Sequence, residues 1–187
     1  MTDAEQQLLA LLKERSFKKG TFKLASGDTS NYYIDGRMSA VYSEAAYLIG
    51  EVLYERTRDL NIDAIGGLAV GSVPLTTAAV ISYRLHGQKM EGFWVRDEAK
   101  KHGTQKVIEG NLRPGSRVAI VDDVFTKGTS ALKAANAVKE IGCEVVLVLA
   151  LVDRLQGAKA LFRDNGIDTY RPVFTIRDLG IDVPDDS

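Results

Sequence analysis

Two adjacent carboxylates, Asp122 and Asp123, stand where an apolar run, Val118-Ala119-Ile120-Val121, meets the turn Val124-Phe125-Thr126-Lys127-Gly128-Thr129-Ser130. In open α/β sheets ligands gather at the carboxyl ends of the strands. A helix opening in such a turn presents free backbone N–H groups beside Thr and Ser hydroxyls, and together these cradle a phosphate. The acids cannot hold that phosphate themselves, because like charges repel. Their natural partners are sugar hydroxyls, or a cation that travels with a polyphosphate. The run therefore describes a phosphorylated sugar. The plainer alternative, acids that cap a helix and hydroxyls that fill a turn, suits a lone Asp-Asp better than it suits the whole run.

A second segment, Arg96-Asp97-Glu98-Ala99-Lys100-Lys101-His102-Gly103-Thr104, gathers cations and has almost nothing to bury. Charge runs are ordinarily solvated loops. A cationic loop is also what an anion-releasing reaction needs, since it can exclude water and neutralise charge building on the leaving group. Leu151-Val152-Asp153-Arg154 ends an apolar run in a charged pair, so Arg154 reads either as a bidentate carboxylate binder or as half of a surface salt bridge. Asn31-Tyr32-Tyr33-Ile34-Asp35 offers aromatic rings for a flat ligand or for hairpin packing. The stretch Gly66-Gly67-Leu68-Ala69-Val70-Gly71-Ser72 could expose backbone N–H groups to an anion.

The elements that must position these residues follow from periodicity. Ala4 to Arg15 places Leu8, Leu9, Leu11 and Leu12 on one helical face, and Phe22 to Asp35 reads as a hairpin about Ser26-Gly27-Asp28. Ser43 reads as the cap of a helix that buries Ala45, Ala46, Leu48, Ile49, Val52 and Leu53. Strands are then expected at 64–69, 90–95, 117–121 and 145–152, with helices at 129–141, at 156–165 and where Pro74 suits a first turn. Unbroken Val/Ile/Leu strands alternating with helices indicate a parallel sheet covered on both faces, spanning about residues 60 to 175. The chain has 187 residues, a net charge of −1, a single cysteine and no apolar run of membrane-spanning length. The start MTDAEQQLLALLKERSF lacks the basic opening of a signal peptide. A cytoplasmic protein is expected, with neither nucleic acid nor membrane as a partner.

The run from Val118 to Ser130 closely resembles the PRPP-binding motif of type I phosphoribosyltransferases. The polar segment resembles the catalytic loop of the orotate phosphoribosyltransferases among them, read as Arg-Lys-Glu-x-Lys-x-His-Gly. Arg96, Lys100 and His102 match, while Asp97 stands where a second basic residue is usual. Other departures are Lys127 where a small residue is expected, Ala25 where a lysine often precedes Ser-Gly, and Gly71 where some relatives carry lysine. The resemblance implies an α/β, type I phosphoribosyltransferase fold: a central parallel sheet flanked by helices, with a small N-terminal hood. One domain would span 1–187, with the N-terminal helix and hood at 1–59 and the core at 60–187. It implies transfer of the ribose 5-phosphate of PRPP to orotate, giving orotidine 5'-phosphate and pyrophosphate in de novo UMP synthesis.

By the same resemblance, Asp122 and Asp123 hold the ribose hydroxyls, and Val124, Phe125, Thr126, Lys127, Gly128, Thr129 and Ser130 complete the PRPP site, with Thr126 to Ser130 around the 5-phosphate. Arg96, Lys100 and His102 are the catalytic residues and bind the pyrophosphate, and Thr126 and Arg154 contact orotate. Mg²⁺ is implied, held mainly by PRPP, as is a homodimer whose Arg96–Gly103 loop acts on the neighbouring subunit. Two rivals stand beside this reading. A purine or uracil phosphoribosyltransferase would keep the acid pair without needing the loop or Arg154, and a PRPP-sensing regulator should carry a basic nucleic-acid surface that this near-neutral chain lacks.

Overall fold

Thr2 opens the first helix, α1 (Asp3–Arg15), with a reciprocal cap: its Oγ1 accepts the Glu5 N–H at 3.2 Å, and Glu5 Oε2 accepts the Thr2 N–H at 2.8 Å. Leu8 and Leu12 are wholly buried, while Leu9 and Leu11 lie at the edge of the face. The computed structural model describes residues 1–23, 29–97 and 107–183. β1 (Phe17–Lys23) and β2 (Thr29–Ile34) pair antiparallel as the expected hairpin, whose turn at Ser26-Gly27-Asp28 lies outside the described residues. The first strand begins at Phe17 rather than Phe22, with Phe17 opposite Ile34. Lys18, Lys19 and Gly20 are exposed and apolar side chains do not alternate there, so the strand carries no period-2 signal.

A short α2 (Arg37–Ala40) leads to α3 (Ser43–Thr57). Tyr42 occupies the cap position and Ser43 is the first helical residue, one place later than the sequence suggests. Ala45, Leu48, Ile49, Val52 and Leu53 are buried as the 3.6-residue period requires. The remaining elements are β3 (Ala64–Leu68), α4 (Ser72–Leu85), β4 (Glu91–Val95), β5 (Ile108–Gly110), β6 (Arg117–Phe125), α5 (Thr129–Glu140), β7 (Glu144–Asp153), α6 (Ala158–Asp164) and β8 (Phe174–Thr175). They form a six-stranded sheet in the order β5-β4-β3-β6-β7-β8, parallel except for β4 against β5. β5 and β8 were not expected, because two or three residues are too few to show a period. Helix α6 starts at Ala158 rather than Gln156, behind Gly157 at φ +101°.

The alternation of the central strands sorts the core into two layers. Ala119 and Val121 of β6 join Leu147, Leu149 and Leu151 of β7 under α1, α3 and α4. Val118 and Ile120 join Val148 and Ala150 under α5 and α6. Neighbouring strands press hard on β3: a Cβ on Gly66 would sit 2.1 Å from Phe93 O, and one on Gly67 2.1 Å from Val121 O. Among the described residues no helix is long and apolar enough to cross a membrane.

Candidate active site

β3 and β6 are neighbours, yet the chain leaves them in opposite directions, from β3 through α4 to β4 and from β6 through α5 to β7. α4 covers one face and α5 the other, so a crevice opens beyond the two carboxyl ends. It is a cleft of about 340 Å³. Asp122, Asp123 and Val124 form its floor, the loop Leu68 to Gly71 one wall, and Thr126, Ser130 and Arg154 another. The hood closes the remaining side with Tyr33, Ile34, Asp35 and Arg37.

The acids lie within β6, not after it, because β7 continues to pair with β6 as far as Phe125 opposite Asp153. Successive side chains on a strand point to opposite faces, yet both acids reach the cleft. A Cβ on Gly71 would stand 2.7 Å from Oδ1 of Asp122 and equally close to Oδ1 of Asp123. Gly36 crowds the other side of Asp123, where a Cβ would lie 3.0 Å from Oδ2. Asp123 is thus bracketed by two glycine backbones from separate elements. Of the glycines expected to leave backbone accessible to an anion, Gly66 and Gly67 serve strand packing instead, and Gly71 alone meets the acids.

Burial governs the charge of the pair. Asp122 is pushed up to about 8, first by desolvation and then by the charge of Asp123. Asp123 is also raised, by desolvation foremost and by Asp35, against the Val124 N–H and Arg37, which lower it. The Asp123 N–H donates to Asp122 Oδ1 at 3.0 Å. Two carboxyls so placed titrate as a unit. Neither acid has an ion-pair partner among the described residues, and no cluster of three or more His, Cys, Asp or Glu there could hold a metal.

The rest of the run divides cleanly. Val124, Thr126 and Ser130 line the cleft. Phe125 is buried against Phe162 and Tyr170, and its backbone oxygen accepts the Arg154 N–H at 2.9 Å. Lys127 and Thr129 are exposed outside the cleft, and Gly128 takes the helix cap at φ +76°, where a Cβ would strike Phe162. Arg154 donates from Nε to Tyr32 OH at 3.0 Å, and its guanidinium carbon lies 4.8 Å from that ring's centre. The tyrosine pair is split across β2, with Tyr32 4% exposed and Tyr33 43%. Among the described residues Asp153 and Arg154 do not pair as a strand-end salt bridge: Asp153 is buried and accepts the Leu155 N–H at 2.9 Å together with the Tyr170 hydroxyl.

Arg96 does not line this cleft. It leans toward Glu109 at 3.7 Å, and its N–H donates to Val107 O. Asp97 is engaged by Lys133 Nζ at 2.5 Å. Lys100 and His102 lie outside the described residues. Sequence reasoning passed over Arg37, which clasps Asp35 through Nε to Oδ1 and Nη2 to Oδ2, each at 2.8 Å. Its signal was the Asp35-Gly36-Arg37 step directly after the tyrosines.

Comparison with known proteins agrees with this geometry. Residues 39–170 match the model of the phosphoribosyl transferase domain. The orotate phosphoribosyltransferase of Aquifex aeolicus is 42% identical over 88% of this chain and 92% of its own length. That of Streptomyces coelicolor is 38% identical over 97% of this chain and 100% of its own. The crystal structure of the Mycobacterium tuberculosis H37Rv orotate phosphoribosyltransferase in complex with PRPP superposes with a TM-score of 0.80, at 35% identity, covering 95% of this chain and 99% of that one. With a parallel-sheet core, a cleft at the switch point and this likeness over nearly its whole length, the chain belongs to the phosphoribosyltransferase family and, within it, to the orotate phosphoribosyltransferases.

Proposed function

We propose that this chain transfers the ribose 5-phosphate of PRPP to orotate, releasing pyrophosphate and giving orotidine 5'-phosphate for UMP synthesis. One observation carries the reading: a nearly buried acid pair with no ion-pair partner among the described residues faces the cleft between the Gly71 loop and the hydroxyls of Thr126 and Ser130. An acid pair with no cationic partner among the described residues, whose charge burial resists, suits hydroxyl groups, to which a carboxyl both donates and accepts. Asp122 and Asp123 would hold the ribose hydroxyls, Thr126 to Ser130 the 5-phosphate, and the Gly71 loop the diphosphate through backbone N–H groups. Arg154, aligned by Tyr32, would take the orotate carboxylate. Positioning and electrostatics then supply most of the rate as the anomeric carbon gains positive character.

Mg²⁺ would be held mainly by the donor substrate, with Asp122 and Asp123 the carboxylates nearest to hand, and would supply charge neutralisation on the diphosphate. Arg96, Lys100 and His102 stabilise the departing pyrophosphate from the neighbouring subunit of a homodimer. In support, Arg96 does not line its own cleft and instead lies 3.7 Å from Glu109, and the apolar side chains Val41, Tyr47, Ile81 and Leu85 stand exposed along a shared groove that starts at Ala40, the end of α2. We place the enzyme in the cytoplasm, as one domain spanning 1–187.

A product assay offering orotate, uracil and hypoxanthine with PRPP and Mg²⁺ tests the activity. Orotate alone should yield a nucleotide, and turnover of uracil or hypoxanthine instead would overturn the assignment. The in-trans loop is tested by refolding Lys100→Ala and Asp123→Asn together. Each alone should be nearly inactive, and the mixture should recover about a quarter of wild-type activity, because about half of the dimers gain one intact site. Mixed dimers without recovery would return the loop to its own subunit.

A further inference from the structure

Among the described residues lining the cleft only two carry positive charge, Arg37 and Arg154. Arg154 is committed to Tyr32, on the side where β6 and β7 end. Arg37 sits on the hood side, next to Gly36, whose backbone abuts the Asp123 carboxylate. Opposite, Gly71 abuts the same carboxylate and brings backbone but no side chain. This corner of the cleft thus has a carboxylate between two glycine backbones and a single guanidinium on the hood side.

We propose that Arg37 is a binding residue for the diphosphate of the phosphoribosyl donor, acting within its own subunit. This rests on the function proposed above and adds a residue to it. Of the five N–H donors of a guanidinium, Asp35 takes one from Nε and one from Nη2. The other three have no partner among the described residues. The bidentate clasp fixes the plane of the group, so little rotamer freedom is lost when an anion arrives. The side chain is 53% exposed and the Asp35 side chain 15%, so the pair presents its open edge to solvent and cleft rather than closing on the core. A charge fixed in this way is better suited to a ligand than to stability, because half-exposed ion pairs contribute little to folding. Asp35 is then the positioning residue: it orients Arg37 and is spared direct contact with the anion.

The test measures inorganic pyrophosphate binding by calorimetry alongside steady-state kinetics for wild type, Arg37→Ala, Arg37→Lys and Asp35→Asn. Arg37→Ala should weaken pyrophosphate binding and raise the KM for PRPP by roughly tenfold each. The KM for orotate and the melting temperature should stay near wild type. Arg37→Lys should recover part of the loss, and Asp35→Asn should show a smaller loss of the same kind. Unchanged pyrophosphate binding in Arg37→Ala, or a change confined to orotate, overturns the assignment. If the wild type failed to use orotate at all, the proposed activity would fall, while pyrophosphate calorimetry would still decide the role of Arg37.

Discussion

β6 and β7 are paired neighbours that both run into carboxylates, and they treat them in opposite ways. At the end of β7, Asp153 is 1% exposed and its oxygens accept the Leu155 N–H and the Tyr170 hydroxyl. In β6, Asp122 is 6% exposed and accepts the N–H of the next residue at 3.0 Å, while a like charge stands beside it. Burial alone is nearly the same. The difference is in the donors: Asp153 is held by the Leu155 N–H and a side-chain hydroxyl from a distant segment, whereas Asp122 accepts only a neighbouring N–H among the described residues and faces a cleft. Arg154, adjacent to the satisfied acid, follows the same logic in reverse, since it is steered by Tyr32 toward the cleft and away from Asp153.

Breaking that contrast at its most crowded point should have the largest effect. Gly71→Ala places a methyl group 2.7 Å from both carboxylates, and these can shift while the sheet stays put. Catalytic efficiency with PRPP should fall on the order of 100-fold, as for a displacement near 1 Å in a reacting site, with the melting temperature almost unchanged. Normal kinetics would mean that the acids tolerate displacement and do not set the geometry. Arg154→Ala comes next. Loss of a charge-assisted partner worth about 1.5–3 kcal/mol should appear in the KM for orotate and leave PRPP nearly untouched; equal losses for both substrates would reduce Arg154 to a structural role.

The satisfied acid should fail in the opposite currency. Asp153→Ala orphans the Leu155 N–H and the Tyr170 hydroxyl, at about 1–3 kcal/mol, or roughly 2–4 °C of melting temperature per kcal/mol. Its KM for PRPP should stay within about twofold of wild type, and a selective loss of PRPP binding would undo the contrast between the strands. The smallest effect is in pH dependence. Burial, and then the neighbouring Asp123, push the Asp122 carboxyl from the ordinary 3.8 up to about 8, so the folded state holds the proton more tightly. Stability from this group is fully present below pH 4 and is lost as pH rises toward 8. Asp122→Asn should therefore gain melting temperature over wild type at pH 8 and little at pH 4, measured without ligand. An equal gain at both values would show that the carboxyl does not resist ionisation in the fold.

Much of this molecule was legible in the chain. The 3.6-residue period of α3 and the apolar runs of β6 and β7 had to bury the residues they do, since exposing them forfeits the hydrophobic gain. The pattern Val121-Asp122-Asp123 followed by a hydroxyl-rich turn marked the ligand end of a strand because that junction is local. Elements without period, such as Phe17 to Gly20 and the short β5 and β8, left no such mark. Tertiary structure alone decided which face each tyrosine meets, that Asp153 meets the Tyr170 hydroxyl while Asp122 meets the cleft, and that Gly36 and Gly71, far apart in sequence, close on one carboxylate from two sides. A sequence states which groups are present and how neighbours alternate. Whether a buried acid finds its donors depends on segments the chain brings together only when the sheet is assembled.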